Sequence, residues 1–169
     1  FNSMIIFRML GYLHRIASGN FERKIKNKVG KTLNFKVNSD YRAKLLKETV
    51  DEINLVENKL VIWYRYNTDL KLIELKLKQE FVVFNGLLKE KEKIENLKKF
   101  RFGKINILVA NIASGSTGLN LQEANYMIYY NNTFDYAKRV QSEDRIHRIG
   151  QTKNCHIIDI ESWFGIDEK

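Results

Sequence analysis

Residues 141–151 read QSEDRIHRIGQ and form the most informative stretch of this 169-residue chain. Read as a helix of 3.6 residues per turn, the stretch places Gln141, Arg145 and Arg148 on one stripe. A second, mostly apolar stripe is predicted to face a core and consists of Ser142, Ile146 and Ile149. One face of this segment is therefore predicted to pack, while the other offers two guanidinium groups and an amide.

Arginine is concentrated in this segment. The chain has nine Arg and 20 Lys residues, yet Arg139, Arg145 and Arg148 lie within ten positions. Arginine is preferred over lysine where a planar, permanently charged fork must meet phosphate oxygens. Spacing alone leaves open a surface helix whose arginines pair with Glu143, Asp144 or another carboxylate.

A loop rich in small residues, ASGSTGLNL at residues 113–121, follows a predicted strand. Backbone N–H groups and the hydroxyls of Ser116 and Thr117 could bind phosphate oxygens there without reading base sequence. The loop lacks the G-x₄-G-K-[ST] pattern of a Walker A loop. Taken alone, such a loop is more typical of a simple turn than of a phosphate site, and Asn120 is equally typical of a helix cap.

These two stretches resemble the last two motifs of the Swi/Snf family, helicase-like ATPases of superfamily two that translocate on double-stranded nucleic acid. They occur in the family's order and at its spacing, and the similarity extends over roughly residues 10–155. Two departures stand out. Ser114 occupies a position where many relatives have glycine, and FDY at residues 134–136 replaces the usual W-N-P.

The resemblance implies a role for individual residues. Arg145 and Arg148 would face the γ-phosphate of ATP as catalytic arginines when two lobes close. Gln141 and Gly118 would lie at the same nucleotide cleft. The nucleic-acid backbone would be contacted by Ser116, Thr117 and Asn120.

No metal site is predicted. His147 points away from the arginine stripe of a helix, about 100° around from Arg148 and about 160° from Arg145, which favours a packing or hydrogen-bonding role. Cys155 is the single cysteine, and the histidines show no metal-binding spacing. Since a Walker A loop and a D-E-x-[HD] box are both missing from the sequence, ATP and Mg²⁺ are expected to be bound mainly by another lobe.

The sequence therefore predicts the C-terminal half of an ATP-dependent DNA translocase, inactive alone and partnered by an N-terminal RecA-like lobe of the same parent protein. The chain starts and stops within the family pattern, as expected of an excised piece. The alternative is a free-standing, non-catalytic nucleic-acid-binding module.

Charge and composition agree with either function. The formal net charge is +9, and residues 1–36 carry eight basic residues against one acid. Such a block is typical of proteins with a polyanionic partner, although lysine-rich solvated faces are also common. No apolar run is long enough to span a membrane and no signal peptide is recognisable. An intracellular location, cytoplasmic or nucleoid-associated, without a membrane partner is expected.

Apolar runs alternate with helical patterns along the chain, which predicts an α/β fold with three layers, a mostly parallel sheet flanked by helices. The resemblance narrows this to the second RecA-like lobe of a helicase. Residues 1–38 are predicted to form a helix and a basic excursion with a turn at residues 29–31, and residues 39–169 the lobe. Trp63 is predicted to lie in the core. The predicted strands are residues 60–64, 81–84, 105–110, 126–130 and 156–160. The predicted helices are residues 4–17, 40–57, 68–77, 87–102 and 135–150.

Overall fold

A computed structural model describes residues 3–26, 32–115, 118–133 and 135–161 of the chain. The helices within them are α1 (Ser3–Ala17), α2 (Tyr41–Asp51), α3 (Asn67–Lys76), α4 (Glu90–Phe102), the single turn α5 (Ile112–Gly115) and α6 (Tyr136–Glu143). The strands are β1 (Asn20–Lys26), β2 (Thr32–Asn38), β3 (Leu60–Tyr64), β4 (Val82–Phe84), β5 (Ile107–Asn111), β6 (Tyr126–Tyr129) and β7 (His156–Asp159). None of the described helices combines the length and apolar character needed to cross a bilayer.

The last five strands form one parallel sheet in the order β4-β5-β3-β6-β7. Strand β3 lies at the centre, where Ile62 is paired with Val109 on one side and Ile128 on the other. Every residue of β3 is fully buried, as expected for a parallel sheet covered on both faces. The predicted fold class is confirmed.

Alternate residues of the strands supply two separate hydrophobic cores. Val61 and Trp63 of β3 pack on one face with Phe100 of α4. Leu60, Ile62 and Tyr64 pack on the other face, where they meet α2 and α3. Trp63 is completely buried, so its predicted place in the core is confirmed.

The N-terminal part consists of α1 and an antiparallel hairpin, β1–β2, in which Phe21 is opposite Val37. The ring of Tyr12 on α1 meets the ring of Phe21 edge-on at 5.7 Å between centroids. The turn predicted at residues 29–31 lies outside the described residues. The helix predicted at residues 4–17 is present, and its apolar residues Met9, Leu13 and Ile16 are exposed.

The predicted end of α2 at residue 57 is wrong, because the helix stops at Asp51. Beyond it the side chain of Asn54 accepts a hydrogen bond from the backbone N–H of Val56, a local bond that competes with the helix. Val56, beyond the end of the helix, is 92% exposed.

Helix α4 starts later than predicted, at Glu90. The Glu92 carboxylate accepts from the backbone N–H of Lys89 at 2.8 Å and so fixes this start. Leu87 and Ile94 are exposed, whereas Phe100 is fully buried.

Candidate functional site

The arginine-bearing segment is a short helix followed by turns, not the continuous helix to Gly150 that the spacing predicted. Helix α6 begins after Asp135, whose side chain accepts from Lys138 N, and ends at Glu143. The next residues form tight turns, in which Arg145 N donates to Ser142 O at 3.2 Å and Ile146 N to Glu143 O at 3.1 Å. Arg145 and Arg148 therefore lie beyond the helix.

Hydrogen bonds to a neighbouring loop explain why the helix stops there. The backbone N–H of Leu121 donates to Arg145 O at 3.1 Å. The side-chain amide of Gln151 donates to the carbonyl oxygens of Gln122, Ala124 and Ile146 at 3.0, 2.7 and 3.3 Å. These carbonyls and N–H groups are thereby satisfied outside a helix.

Only part of the predicted apolar stripe packs. Ser142 and Ile146 are buried, as predicted, and Ile146 joins the core around Trp63. Ile149 was predicted to face the same core but is fully exposed. The turns after Glu143 rotate it away from the stripe, because the 3.6-residue periodicity ends with the helix.

The three clustered arginines have different surroundings. Arg139 is 4% exposed. It donates from Nη1 and Nη2 to the two carboxylate oxygens of Asp159 at 2.5 and 3.0 Å, and from Nε to Glu143. Its guanidinium carbon also lies 3.5 Å from the centroid of the Tyr129 ring.

The charge of Arg139 is fixed by these contacts. Burial opposes the charge, but the hydrogen bonds to Asp159 and Glu143 outweigh it and raise the pKa of the guanidinium. Arg139 thus holds α6 against the edge strand β7. Its guanidinium is fully engaged by ion-pair partners within the lobe.

Arg148 has the opposite environment. It is exposed, and within the described segments it forms no ion pair with an acid. It lines a shallow depression of about 540 Å³ together with Asn120, Gln122, Asp144, His147 and Ile149.

The other two residues predicted on the same stripe differ in exposure. Arg145 is half-buried and Gln141 is exposed on α6.

The loop after β5 contains the other predicted site residues. Gly118 is exposed and has a φ of +62°, the left-handed region that glycine adopts without strain. Asn120 Oδ1 accepts from Gln122 N at 3.3 Å, a local cap. Asn120 also lines the depression that contains Arg148. Ser116, Thr117 and Phe134 lie outside the described residues.

His147 is exposed beside Arg148 in this depression. Of the two roles predicted for it, packing is wrong, because the His147 side chain is exposed beyond the end of α6 at Glu143. Among the described residues no group of three His, Cys, Asp or Glu side chains could hold a metal ion.

A second concave surface was not predicted from the sequence. A cavity of about 620 Å³ lies at the carboxyl edge of the sheet, where β3, β4 and β5 end. We call it the edge cavity. It is lined by Arg15, Phe21, Arg65, Tyr66, Asn67, Thr68, Asn85, Gly86, Leu87, Asn111 and Ser114.

The side chains of Asn85 and Asn111 form hydrogen bonds that order this edge of the sheet. Asn85 donates to the Tyr64 hydroxyl at 3.1 Å, and its Oδ1 accepts from the N–H groups of Leu87 and Leu88. Asn111 donates to the carbonyl oxygen of Arg65 at 3.1 Å. The signal that could have revealed the cavity was an asparagine at the end of each of two apolar runs, since ligands of open parallel sheets bind at the carboxyl ends of strands.

The comparisons with known proteins agree with the fold described above. Residues 41–150 match the family described as "Helicase conserved C-terminal domain". The DNA repair protein RAD5 of Yarrowia lipolytica is 31% identical over 114 residues, which are 66% of this chain and 11% of that protein. The SWI/SNF chromatin-remodeling complex subunit snf22 of Schizosaccharomyces pombe is 25% identical over 132 residues, 75% of this chain and 8% of that protein.

A solved structure, the C-terminal part of the Fun30 ATPase domain, superimposes with a TM-score of 0.65 at 27% identity and covers 70% of this chain and 40% of that one. The chain thus spans a small part of the relatives it matches.

Proposed function

Because the chain belongs to the family of helicase conserved C-terminal domains, in its Swi/Snf branch, we propose that it is the second motor lobe of a nucleic-acid-dependent ATPase. In this proposal ATP lies between this lobe and an N-terminal RecA-like lobe of the parent protein. Hydrolysis drives translocation along nucleic acid, with double-stranded DNA as the substrate. The protein acts inside the cell, in the cytoplasm or at the nucleoid.

The single observation that carries the catalytic part is the contrast between Arg139 and Arg148. Arg139 is neutralised inside the lobe by Asp159 and Glu143, whereas Arg148 is exposed in a concave surface. A permanent cation at a lobe surface can meet the charge that develops on a transferred phosphoryl group. Arg148 and, next to it, Arg145 are therefore the proposed arginine fingers.

The residues predicted for the nucleotide site are suited to the triphosphate of ATP but not to its metal ion. Two guanidinium groups and the Gln141 amide are donors suited to phosphate oxygens, and Gly118 leaves room because nothing lies within 4 Å of a Cβ built there. Mg²⁺ prefers carboxylate oxygens, and the described residues offer no cluster of them. Mg²⁺ is accordingly assigned to the other lobe.

The nucleic-acid backbone is assigned to the carboxyl edge of the sheet. Arg65 and the N-terminus of α3, at Asn67 and Thr68, line the edge cavity with Ser114, which comes shortly before the predicted contacts at residues 116 and 117. Helix N-termini and arginine are favourable partners of phosphate groups. Asn120 also belongs to the predicted nucleic-acid set. It connects this loop to the arginines, because it lines the depression that contains Arg148.

The test is to mix this chain with the rest of the parent protein in trans and to measure ATP hydrolysis with and without duplex DNA. We expect neither piece to hydrolyse ATP alone and DNA-stimulated hydrolysis to appear on mixing. The control is the same mixture with the Arg145→Ala, Arg148→Ala double variant. A free-standing binding module, the alternative, predicts DNA binding but no ATPase in any mixture.

A further inference from the structure

The edge cavity is built from two parts of the chain. Arg65 and most other lining residues come from the lobe that matches the helicase family, residues 41–150. Arg15 and Phe21 come from α1 and β1, which precede the matched residues. The segment before the family domain therefore supplies one of the two cationic side chains of the cavity.

Helix α1 is attached firmly enough to fix Arg15. Its buried His14 hydrogen-bonds to the hydroxyl of Tyr66 through Nδ1 at 3.1 Å. The next residues are held as well, since the side-chain amide of Asn131 donates to the hydroxyl of the buried Ser18 at 2.8 Å. The end of the helix is thus tied to the residues that follow β3 and β6, and Arg15 lies within this tied turn.

The two arginines converge on one aromatic ring. The guanidinium carbon of Arg15 lies 5.0 Å and that of Arg65 lies 5.5 Å from the centroid of the Tyr66 ring. Among the described residues no acidic side chain lines the cavity. The nearby Asp69 is buried behind it, and burial raises the pKa of this carboxyl to about 7, which weakens its opposition to an anion.

The neutral lining residues suit a polyanion that is recognised without reading its bases. The exposed Asn67 and Thr68 offer an amide and a hydroxyl group next to the two cations. The hairpin that follows α1 adds Lys24 and Lys36, both exposed. Cations combined with neutral donors are typical of contacts to the phosphate backbone.

We propose that α1 and the β1–β2 hairpin form a second nucleic-acid-binding element, in which Arg15 contacts a backbone phosphate of the same nucleic acid that the lobe holds at Arg65. The inference rests on the proposed function, because it assigns a further residue to the same surface. It extends that surface beyond the family domain, to a segment that residues 41–150 do not include.

The test is the salt dependence of binding to a short fluorescein-labelled DNA duplex, for the chain and its Arg15→Gln variant. One lost phosphate contact should lower the slope of log Kobs against log salt by about 0.9. For a purely electrostatic contact this means about 15-fold weaker binding at about 50 mM salt and about 4-fold at about 200 mM. Arg65→Gln should show a similar loss.

The matched control is Lys104→Gln, which removes one exposed positive charge at the amino end of β5, the edge opposite the cavity. It should keep the wild-type slope. Arg15 is exposed, so its variant should keep the thermal midpoint, and Arg15→Glu should weaken binding further.

The two possible failures are distinguishable. If Arg15→Gln keeps the affinity and slope of the wild type while Arg65→Gln weakens binding, the inference is wrong and the proposed function stands. The inference is equally wrong if Lys104→Gln lowers the slope as much as Arg15→Gln does. If the wild-type chain does not bind duplex DNA at low salt, the proposed function fails and the inference with it.

Discussion

The backbone N–H of Leu121 donates to the carbonyl oxygen of Arg145 at 3.1 Å. This bond joins the small-residue loop after β5 to the arginine turn after α6. Gln151 reinforces the connection through its three donated hydrogen bonds. A displacement of the loop would therefore be transmitted to the arginine turn, and in the proposed function this connection couples nucleic-acid contact to the nucleotide cleft.

Gln151→Ala should loosen the arginine turn without unfolding the sheet. The substitution removes one amide that serves three carbonyl oxygens, so a loss of about 1–3 kcal/mol in the free energy of unfolding is expected. Urea denaturation measures this loss, and hydrogen exchange at residues 144–150 should rise. Thr152→Ala, at an exposed neighbour, is the control. Unchanged exchange in the Gln151 variant would contradict the anchoring role.

Arg148→Ala should reduce ATP turnover of the parent protein by about 10³-fold or more, the range that arginine fingers contribute. Its stability should not change, because the side chain is exposed. ATP affinity should change less than turnover, which separate measurement of kcat and KM would show. Lys104→Ala serves as the charge-matched control. Wild-type turnover in the Arg148 variant would remove the finger assignment.

Arg139→Met should destabilise the lobe by about 3 kcal/mol, because it leaves the carboxylates of Asp159 and Glu143 without their cation. Urea denaturation of this variant measures the cost. Adding Asp159→Leu to the variant should recover part of the stability, since an apolar pair in place of an ion pair is tolerated. If the double variant is as unstable as the sum of the single variants, the two residues are not coupled.

Asp69→Asn should flatten the pH dependence of stability between about pH 4 and 7. Burial raises the pKa of Asp69 from 3.8 to about 7, and the hydrogen bond from Tyr66 N and the charges of Arg42 and Arg15 oppose this only in part. The folded carboxyl binds its proton more tightly than the unfolded one. Wild-type stability contributed by this group is therefore full below pH 3.8 and is lost as pH rises to 7.

The variant keeps an oxygen for the N–H of Tyr66, from which the Asp69 carboxylate accepts at 3.0 Å. The measurement is the difference in unfolding free energy between the two proteins across this pH window, and on the order of 2–4 kcal/mol is expected. Taking the difference cancels surface acids such as Asp40, whose pKa the hydrogen bonds from Lys76 and Lys44 lower to about 2. A pH-independent difference would show that Asp69 does not titrate there.

Strands β3, β5 and β6 were predictable because they are short apolar runs that the sheet buries on both faces. Leu60–Tyr64 was predicted to the residue. Helix ends were not, because tertiary hydrogen bonds decide them. The pattern of residues 141–151 does not indicate that the N–H of Leu121 will donate to Arg145 O. Nor does it indicate that the Gln151 side chain will donate to Ile146 O.

The candidate site was likewise predicted only in part from the sequence. Residues 139–148 are rich in arginine, but their sequence does not indicate which arginine forms ion pairs inside the lobe. That depends on Asp159, 20 positions away and on a different element. The edge cavity escaped prediction because its residues are single polar positions scattered from Arg15 to Ser114 and join only when the strands align.

The pairing of Arg139 with Asp159 also constrains how the lobe is made by the ribosome. The arginine is translated 20 residues before the carboxylate, and β7 is the last of the described strands along the chain. Until β7 has left the exit tunnel, only Glu143 of the two carboxylates that contact Arg139 is in place to pair with it. The ion pair that joins α6 to β7 therefore forms only after the rest of the described sheet has been synthesised.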